Sequence, residues 1–230
     1  MSEKYLRATI VGHSYIKYLE RFRSDFNLHD YEVSFVYQSG ATTSDLFPKL
    51  SQISSTSPHV VFIQVGGNDF SGHNREDHTQ VPVKIMELAS AISAIRSVQQ
   101  VYIGKLFYRL KNRFLCSTAE VNNYNYKVDW INDQLSSLAG QLQNISLLHH
   151  KGREVCSQSW LDRDGTHLNS QGNKKFWRSI RGALLTSSRH LKHIGGFSFI
   201  MSYPYLTTPS YYHNLQILLF MLQINSPINS

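Results

Sequence analysis

A carboxylate and an imidazole lie three positions apart in the segment DGTHLNSQG, residues 164–172. A carboxylate that accepts a hydrogen bond from one imidazole nitrogen fixes the tautomer and leaves the other nitrogen available as a base. Asp164 and His167 are therefore candidates for the orienting acid and the general base of a catalytic site. The simpler alternative is a surface aspartate beside a histidine, ahead of a helix that Ser170 caps.

Such a base needs a nucleophile, and Ser14 is the candidate. The short apolar run RATIVG, residues 7–12, indicates a buried strand, and Ser14 follows it where a helix begins. A hydroxyl there is exposed at the edge of a sheet, beside unpaired N–H groups of the helix. An ordinary N-cap serine is the alternative at this position.

Two further loops offer hydrogen-bond donors. Gly40, in QSGATTSDL, lets the backbone approach a ligand closely and precedes a predicted helix. Asn68 follows two glycines in VGGNDF, and its amide is a donor for a developing negative charge. The alternatives are an ordinary strand-to-helix glycine and an Asx-type turn. A metal site is a weaker interpretation, because no cysteine or second histidine lies at ligand spacing from His167.

These loops share one predicted sheet edge. Apolar or alternating runs predict five strands, and helical stripes separate them. Such alternation implies right-handed crossovers and a mainly parallel sheet with helices on both faces, a three-layer α/β/α sandwich of the flavodoxin-like type. Ligands then bind at the carboxyl ends of the strands. The predicted strands are residues 7–12, 31–37, 59–66, 101–107 and 144–150.

The helical stripes between the strands are regular, with one exception. A helix that opens near Thr43 or Ser44 conflicts with Pro48, which lies beyond the first turn where proline is tolerated. The other predicted helices cover residues 15–22, 81–95, 121–142 and 176–184.

Taken together, the four blocks resemble the GDSL or SGNH hydrolase superfamily, which is named for a Ser, a Gly, an Asn and a His. The resemblance covers residues 7–186, and the wording of the blocks is also similar to short esterase-like domains of invertebrate retroelement-type reading frames. The matching residues are Ser14 in GHS, Gly40 in SGAT, Asn68 in GGND, and Asp164 with His167 in DGTHLN.

The resemblance implies ester hydrolysis through an acyl-enzyme, without a metal or organic cofactor. Ser14 would be the nucleophile, His167 the base and Asp164 its orienter. The oxyanion would be held by the N–H groups of Ser14 and Gly40 and by the amide of Asn68. The implied partner is a small-molecule or macromolecular acyl ester.

One residue departs from the family pattern. The first block usually reads Gly-Asp-Ser, and here His13 takes the place of the aspartate. That aspartate helps to organise the loop around the nucleophile, so its loss calls full activity into question. We expect a loop residue with its ring in solvent, and the alternative is a second imidazole close to Ser14.

Composition leaves two other function classes open. The chain of 230 residues has a formal net charge of +7, which favours acidic partners in general but specifies none. We interpret the basic stretch 174–192 as a solvated helix face, and the chain lacks the interleaved aromatic and basic residues of single-strand binders. The main alternative to an esterase is a catalytically weak or inactive binding module on the same fold, including one associated with nucleic acid. The other is a protein whose main role is nucleic-acid binding.

We expect one domain over residues 1–190 and a poorly ordered tail over 191–230, with one short helix near 214–224. The apolar runs are shorter than the roughly 18 residues of a membrane span, and the N-terminal run is too short for a signal peptide. Cys116 and Cys156 suggest no disulfide framework. These features predict a cytoplasmic protein.

Overall fold

Five parallel strands form the centre of the structure, a computed structural model that describes residues 5–26, 28–71, 77–112, 114–150 and 159–195. The strands are β1 (Leu6–Gly12), β2 (Tyr31–Tyr37), β3 (Val60–Gln64), β4 (Gln100–Gly104) and β5 (Ile145–Leu148). They form one sheet in the order β2-β1-β3-β4-β5, and every neighbouring pair is parallel. With helices flanking the sheet, the predicted α/β fold is confirmed.

The described residues contain five α-helices and three short 3-10 helices. The longest helices are amphipathic, and α4 opens with a capping box in which Ser117 and Glu120 each accept the other's backbone N–H. The α-helices are α1 (Ser14–Glu20), α2 (Leu50–Ser55), α3 (Val81–Ser93), α4 (Thr118–Ala139) and α5 (Ser170–Gly195), and the 3-10 helices are Arg23–Phe26, Ser44–Lys49 and His78–Gln80.

The second predicted helix differs from the prediction. The segment that was expected to open an α-helix near Ser44 is a 3-10 helix, Ser44–Lys49, which contains Pro48. Proline cannot donate an α-helical hydrogen bond, so α-helical pairing starts only after it, in α2. The first helix is also shorter than its apolar stripe, because α1 ends at Glu20 and excludes Phe22.

Apolar packing on the sheet explains why these segments hold their places. All five residues of β3 are buried, as expected for a parallel strand covered on both faces. Phe62 and Tyr102 are paired on neighbouring strands and face α5 together. Phe62 meets the ring of Phe176 with centroids 5.8 Å apart, and the Tyr102 hydroxyl lies 2.9 Å from that of Ser187.

The strand order reverses between β1 and β3. From β1 the chain moves to one side to form β2, and it then returns past β1 to build β3, β4 and β5 on the other side. In open parallel sheets such a reversal leaves a crevice at the carboxyl ends of the two strands, where ligands bind. Ser14 follows β1 and Asn68 follows β3, so both residues border this crevice.

The chain divides into two units, Met1–His190 and Leu191–Ser230. Residues 196–230 lie outside the described residues, and so does Cys156. The predicted tail with its short helix near 214–224 therefore stays a prediction. Within the described ranges, every helix falls short of the length or the hydropathy that a membrane span requires.

Candidate active site

The turn from β1 into α1 exposes the hydroxyl of Ser14. Ser14 is the first residue of α1, and the N-cap is His13, whose Nδ1 accepts the backbone N–H of Tyr15 at 3.4 Å. The capping role considered for Ser14 therefore belongs to its neighbour. The serine hydroxyl is left to bond a residue from the other end of the chain.

That residue is His167. The Nε2 atom of His167 lies 2.8 Å from Ser14 Oγ, and its Nδ1 lies 2.5 Å from Oδ2 of Asp164. The second carboxylate oxygen of Asp164 accepts the backbone N–H groups of Thr166 and His167, at 2.9 and 2.8 Å. One carboxylate thus holds both the imidazole and the turn that carries it, and the three residues predicted from sequence lie in one hydrogen-bonded chain.

A glycine shapes this turn. Gly165 has φ +65°, in the left-handed region, and a Cβ there would lie 2.4 Å from the carbonyl oxygen of Lys111. Its own carbonyl accepts the N–H of Leu110 at 2.8 Å, which ties the turn to the segment after β4.

The start of α5 corrects a smaller prediction. Ser170 is the first helical residue rather than the cap. Asn169 precedes it, and its side-chain oxygen accepts the N–H of Gly172 at 3.0 Å, three residues into the chain as an N-cap does.

Asp164 remains ionised at neutral pH. Partial burial raises its pKa, but the hydrogen bonds from the His167 ring and from the backbone of His167 and Thr166 outweigh burial, so the pKa lies below its ordinary value. An anionic carboxylate is what an orienting group needs, because it must stabilise the imidazolium that forms when the histidine takes a proton.

The expectation that His13 points into solvent is wrong. The residue is 2% exposed, and its ring packs 4.9 Å from that of Tyr15. Burial lowers the pKa of His13 to about 3, and the positive charges of Arg109 and His167 add to the effect. The ring is therefore neutral. As the N-cap of α1, His13 turns its side chain toward the N–H groups at the start of the helix, and this buries the ring. The surrounding sequence suggested a loop and did not reveal this role.

Three donors line the cleft beside Ser14. Within the described parts of the chain, no acceptor takes the backbone N–H of Ser14 or of Gly40. Gly40 has φ +76°, a conformation that favours glycine. Asn68 Nδ2 donates one hydrogen to the carbonyl of Ala41 at 3.1 Å, which leaves its second hydrogen for another acceptor.

Two carboxylates hold the loop that contains Gly40. Asp69 is fully buried, and its oxygens lie 3.0 and 3.2 Å from the backbone N–H of Thr43. Asp45 accepts the N–H and the hydroxyl of Thr42, both at 2.8 Å. The loop is therefore fixed at two points, by Asp69 after β3 and by Asp45 in the 3-10 helix that follows the loop.

Sequence analysis missed Arg109, which lies in the segment after β4. Its guanidinium is 4% exposed; Nη2 donates to Asn68 Oδ1 at 2.9 Å and Nη1 donates to Ser71 Oγ at 2.8 Å. A signal did exist. This segment leaves the same edge of the sheet as the loops that carry the other site residues.

The residues of the site line a cleft of ≈ 780 Å³. Its charged side chains are Lys17, Arg109, Arg163 and Asp164, and hydroxyl, amide, imidazole and glycine residues make up most of the remainder. In the described ranges, no three His, Cys, Asp or Glu side chains are grouped so that they could hold a metal ion. The expectation of cofactor-free chemistry stays a prediction.

Comparisons with known proteins bear on the family and the fold of the chain. The model of the GDSL-like lipase/acylhydrolase family matches residues 7–180. No curated protein matches the chain in sequence. A GDSL-like lipase structure from Bacteroides thetaiotaomicron aligns with a TM-score of 0.63 and 17% identity, over 79% of this chain and 88% of that chain.

Two further solved structures share the fold. A carbohydrate esterase family 3 protein from Talaromyces cellulolyticus has a TM-score of 0.62 and 14% identity, over 80% of this chain and 99% of its own. The inhibitor-bound aryl esterase of M. smegmatis has a TM-score of 0.62 and 12% identity, over 79% of this chain and 99% of its own.

Proposed function

Because this chain belongs to the GDSL-like lipase/acylhydrolase family, we propose that it is a serine esterase that works through an acyl-enzyme. The observation that carries this proposal is the hydrogen-bonded chain from Ser14 Oγ through both ring nitrogens of His167 to Asp164, at 2.8 and 2.5 Å. These distances suit proton transfer without rearrangement of the site.

Acylation begins with attack of Ser14 Oγ on the ester carbonyl carbon, while His167 Nε2 takes the hydroxyl proton. Asp164 stabilises the imidazolium that results. The tetrahedral intermediate then collapses, the carbon–oxygen bond to the alcohol breaks, and the imidazolium returns the proton to the departing oxygen. The acyl group stays on Ser14 as an ester.

The negative charge on the carbonyl oxygen needs donors that are already in place. The N–H groups of Ser14 and Gly40 and the remaining hydrogen of Asn68 Nδ2 supply them, and Asp69 holds the loop that carries Gly40 by accepting the N–H of Thr43. Donors of this kind contribute about 3 to 4 kcal/mol each to lowering the barrier.

Deacylation repeats the same steps with water. His167 removes a proton from a water molecule, which attacks the acyl carbon, and the Ser14 oxygen leaves with the proton that the ring returns. The products are a carboxylic acid and the restored hydroxyl. The ester and one water molecule from the solvent are therefore the only reactants.

The cleft lining supports a short acyl group on a polar alcohol. Apart from Tyr18 and Phe114, the lining side chains are polar or charged, or the residue is glycine. A long acyl chain would need a continuous apolar surface to remove it from water. Among the structural neighbours are an acetyl esterase and two carbohydrate esterases, which accords with this substrate class.

Hydrolysis of p-nitrophenyl acetate by the wild type and by Ser14→Ala tests the proposal. We expect turnover and fluorophosphonate labelling in the wild type and neither in the variant. Unchanged activity in Ser14→Ala would reject Ser14 as the nucleophile. A wild type that is neither active nor labelled would favour the binding module.

A further inference from the structure

Arg109 is a buried cation directly behind a proposed oxyanion donor. Its Nη2 donates to Oδ1 of Asn68 at 2.9 Å, and its Nη1 donates to Ser71 Oγ at 2.8 Å. Ser71 in turn donates to the carbonyl of Gly67 at 2.7 Å. The guanidinium therefore fixes the segment that follows β3 at both Asn68 and Ser71.

The charge of Arg109 is not cancelled by an ion pair within the described residues. The ring of Tyr124 lies 4.9 Å from its guanidinium carbon, and Nε is buried without a hydrogen-bond partner. Residue 13, which carries a carboxylate in the family pattern, is a neutral imidazole here. The carboxylate of Asp164 and the side chain of Tyr15 also act on Arg109. Because neither forms an ion pair with it, they offset its positive charge only in part.

The bond to Oδ1 decides how the Asn68 amide is turned. A guanidinium can only donate, so it selects the carbonyl side of the amide and directs the NH2 side away, toward Ala41 and the cleft. A charged donor also polarises the amide and makes its remaining N–H a stronger donor. A neutral partner would orient and polarise the Asn68 amide less effectively.

We propose that Arg109 is a positioning residue that orients and polarises the Asn68 donor. This inference rests on the proposed function, because it assigns a task within the same reaction. Arg109 does not touch the ester. It acts through Asn68, at the step where negative charge develops on the carbonyl oxygen.

A double-mutant cycle tests the link between the two residues. We expect Arg109→Gln to lower kcat for p-nitrophenyl acetate by about 10- to 100-fold with little change in KM, because the lost interaction strengthens only in the transition state. In an Asn68→Ala background the same change should lower kcat by less than about threefold, since the donor it serves is gone. Equal losses in both backgrounds, or a change confined to KM, would overturn the proposal.

Two further variants separate positioning from folding. Arg109→Lys keeps the charge without the planar fork, so its kcat should fall between those of the wild type and Arg109→Gln. Arg178→Gln, on the exposed face of α5, controls for the loss of a cation elsewhere and should leave kcat unchanged. A Lys variant no better than Gln would contradict a role for the charge.

A readout that needs no turnover keeps this test separate from the test of the esterase. The side-chain NH2 signals of Asn68 in a nitrogen–proton correlation spectrum should move in Arg109→Gln, while the melting temperature of Arg109→Lys stays near that of the wild type. Unmoved Asn68 signals would overturn the proposal even for an inactive chain. Loss of activity in Ser14→Ala together with an additive cycle would reject the role of Arg109 and leave the esterase intact.

Discussion

The hydroxyl of Tyr15 donates a hydrogen bond of 2.7 Å to the carbonyl of Thr166, 151 positions away in the chain. The bond joins the residue after the proposed nucleophile to the residue before the proposed base. It therefore sets the separation of α1 and the turn that carries His167, which the Ser14–His167 contact requires.

Replacing Tyr15 by Phe should loosen this connection while keeping the buried ring. We expect a loss of about 1 kcal/mol in the free energy of unfolding and a several-fold lower kcat, because the serine and the imidazole are held less firmly. Urea denaturation and p-nitrophenyl acetate kinetics measure the two effects. An unaltered kcat would mean that other contacts set the spacing.

Asp164→Asn should lower kcat by about 1000-fold or more. The amide oxygen can still accept the backbone N–H groups of Thr166 and His167, so the turn survives. The amide NH2, however, faces His167 Nδ1 and selects the tautomer with its proton on Nε2, which cannot accept a proton from Ser14. Steady-state kinetics with a melting curve as the control distinguishes this from unfolding.

Asn68→Ala should lower turnover by about 100- to 1000-fold and leave slow fluorophosphonate labelling of Ser14 detectable. The nucleophile and its base are intact in this variant, and only one of three donors is missing. Labelling as fast as that of the wild type would argue that Asn68 does not bind the oxyanion.

His13 makes the fold sensitive to acid. Its pKa is about 3 in the folded protein against 6.5 as the ordinary value, so between these pH values the unfolded chain binds a proton that the native state does not. Its contribution to stability is complete above pH 6.5 and is lost as the pH falls, by up to about 1.4 kcal/mol per pH unit. Burial also lowers the pKa of His150 to about 3, with the same sign.

His13→Asn keeps an acceptor for the Tyr15 N–H but does not titrate. Denaturant melts between pH 7 and pH 4 should therefore show a shallower decline for this variant than for the wild type, with the His150 contribution remaining. Parallel declines would show that His13 is not buried in its neutral form.

Gly165→Ala should destabilise the protein by more than about 1 kcal/mol. The backbone there has φ +65°, and the added methyl group would meet the carbonyl of Lys111 at 2.4 Å. Gly182→Ala is the matched control, because its site in α5 has open space and a helical alanine is favoured by up to about 1 kcal/mol. In denaturant melts we expect the free energy of unfolding to fall in Gly165→Ala and to rise in Gly182→Ala.

Much of the fold could be predicted because the signal is local. The runs at 59–66 and 101–107 are apolar enough to identify buried strands. β3 lies within the first run, and β4 overlaps the second but begins one residue before it. The strand ends were less accurate, since hydrogen bonding across the sheet rather than apolarity decides where a strand stops. Pro48 shows the same limit, because a steric conflict visible in sequence did not specify a 3-10 helix.

The site residues also differ in whether a local sequence signal identifies them. Ser14, Gly40 and Asn68 could be found because each follows a strand in a recognisable block. The burial of His13 and the contact of Arg109 with Asn68 depend on segments that meet only after folding. No spacing along the chain records which face of a turn a side chain takes.

The loop that carries Gly40 is held by Asp69, a carboxylate with no exposed surface. Its backbone is therefore held in place before any ligand arrives, so the proposed ester substrate would meet a wall that is already formed. A wall that is already formed cannot select between ligands by closing around one of them. Selectivity among the proposed ester substrates would then depend on exposed residues that line the cleft, such as Lys17 and Arg163.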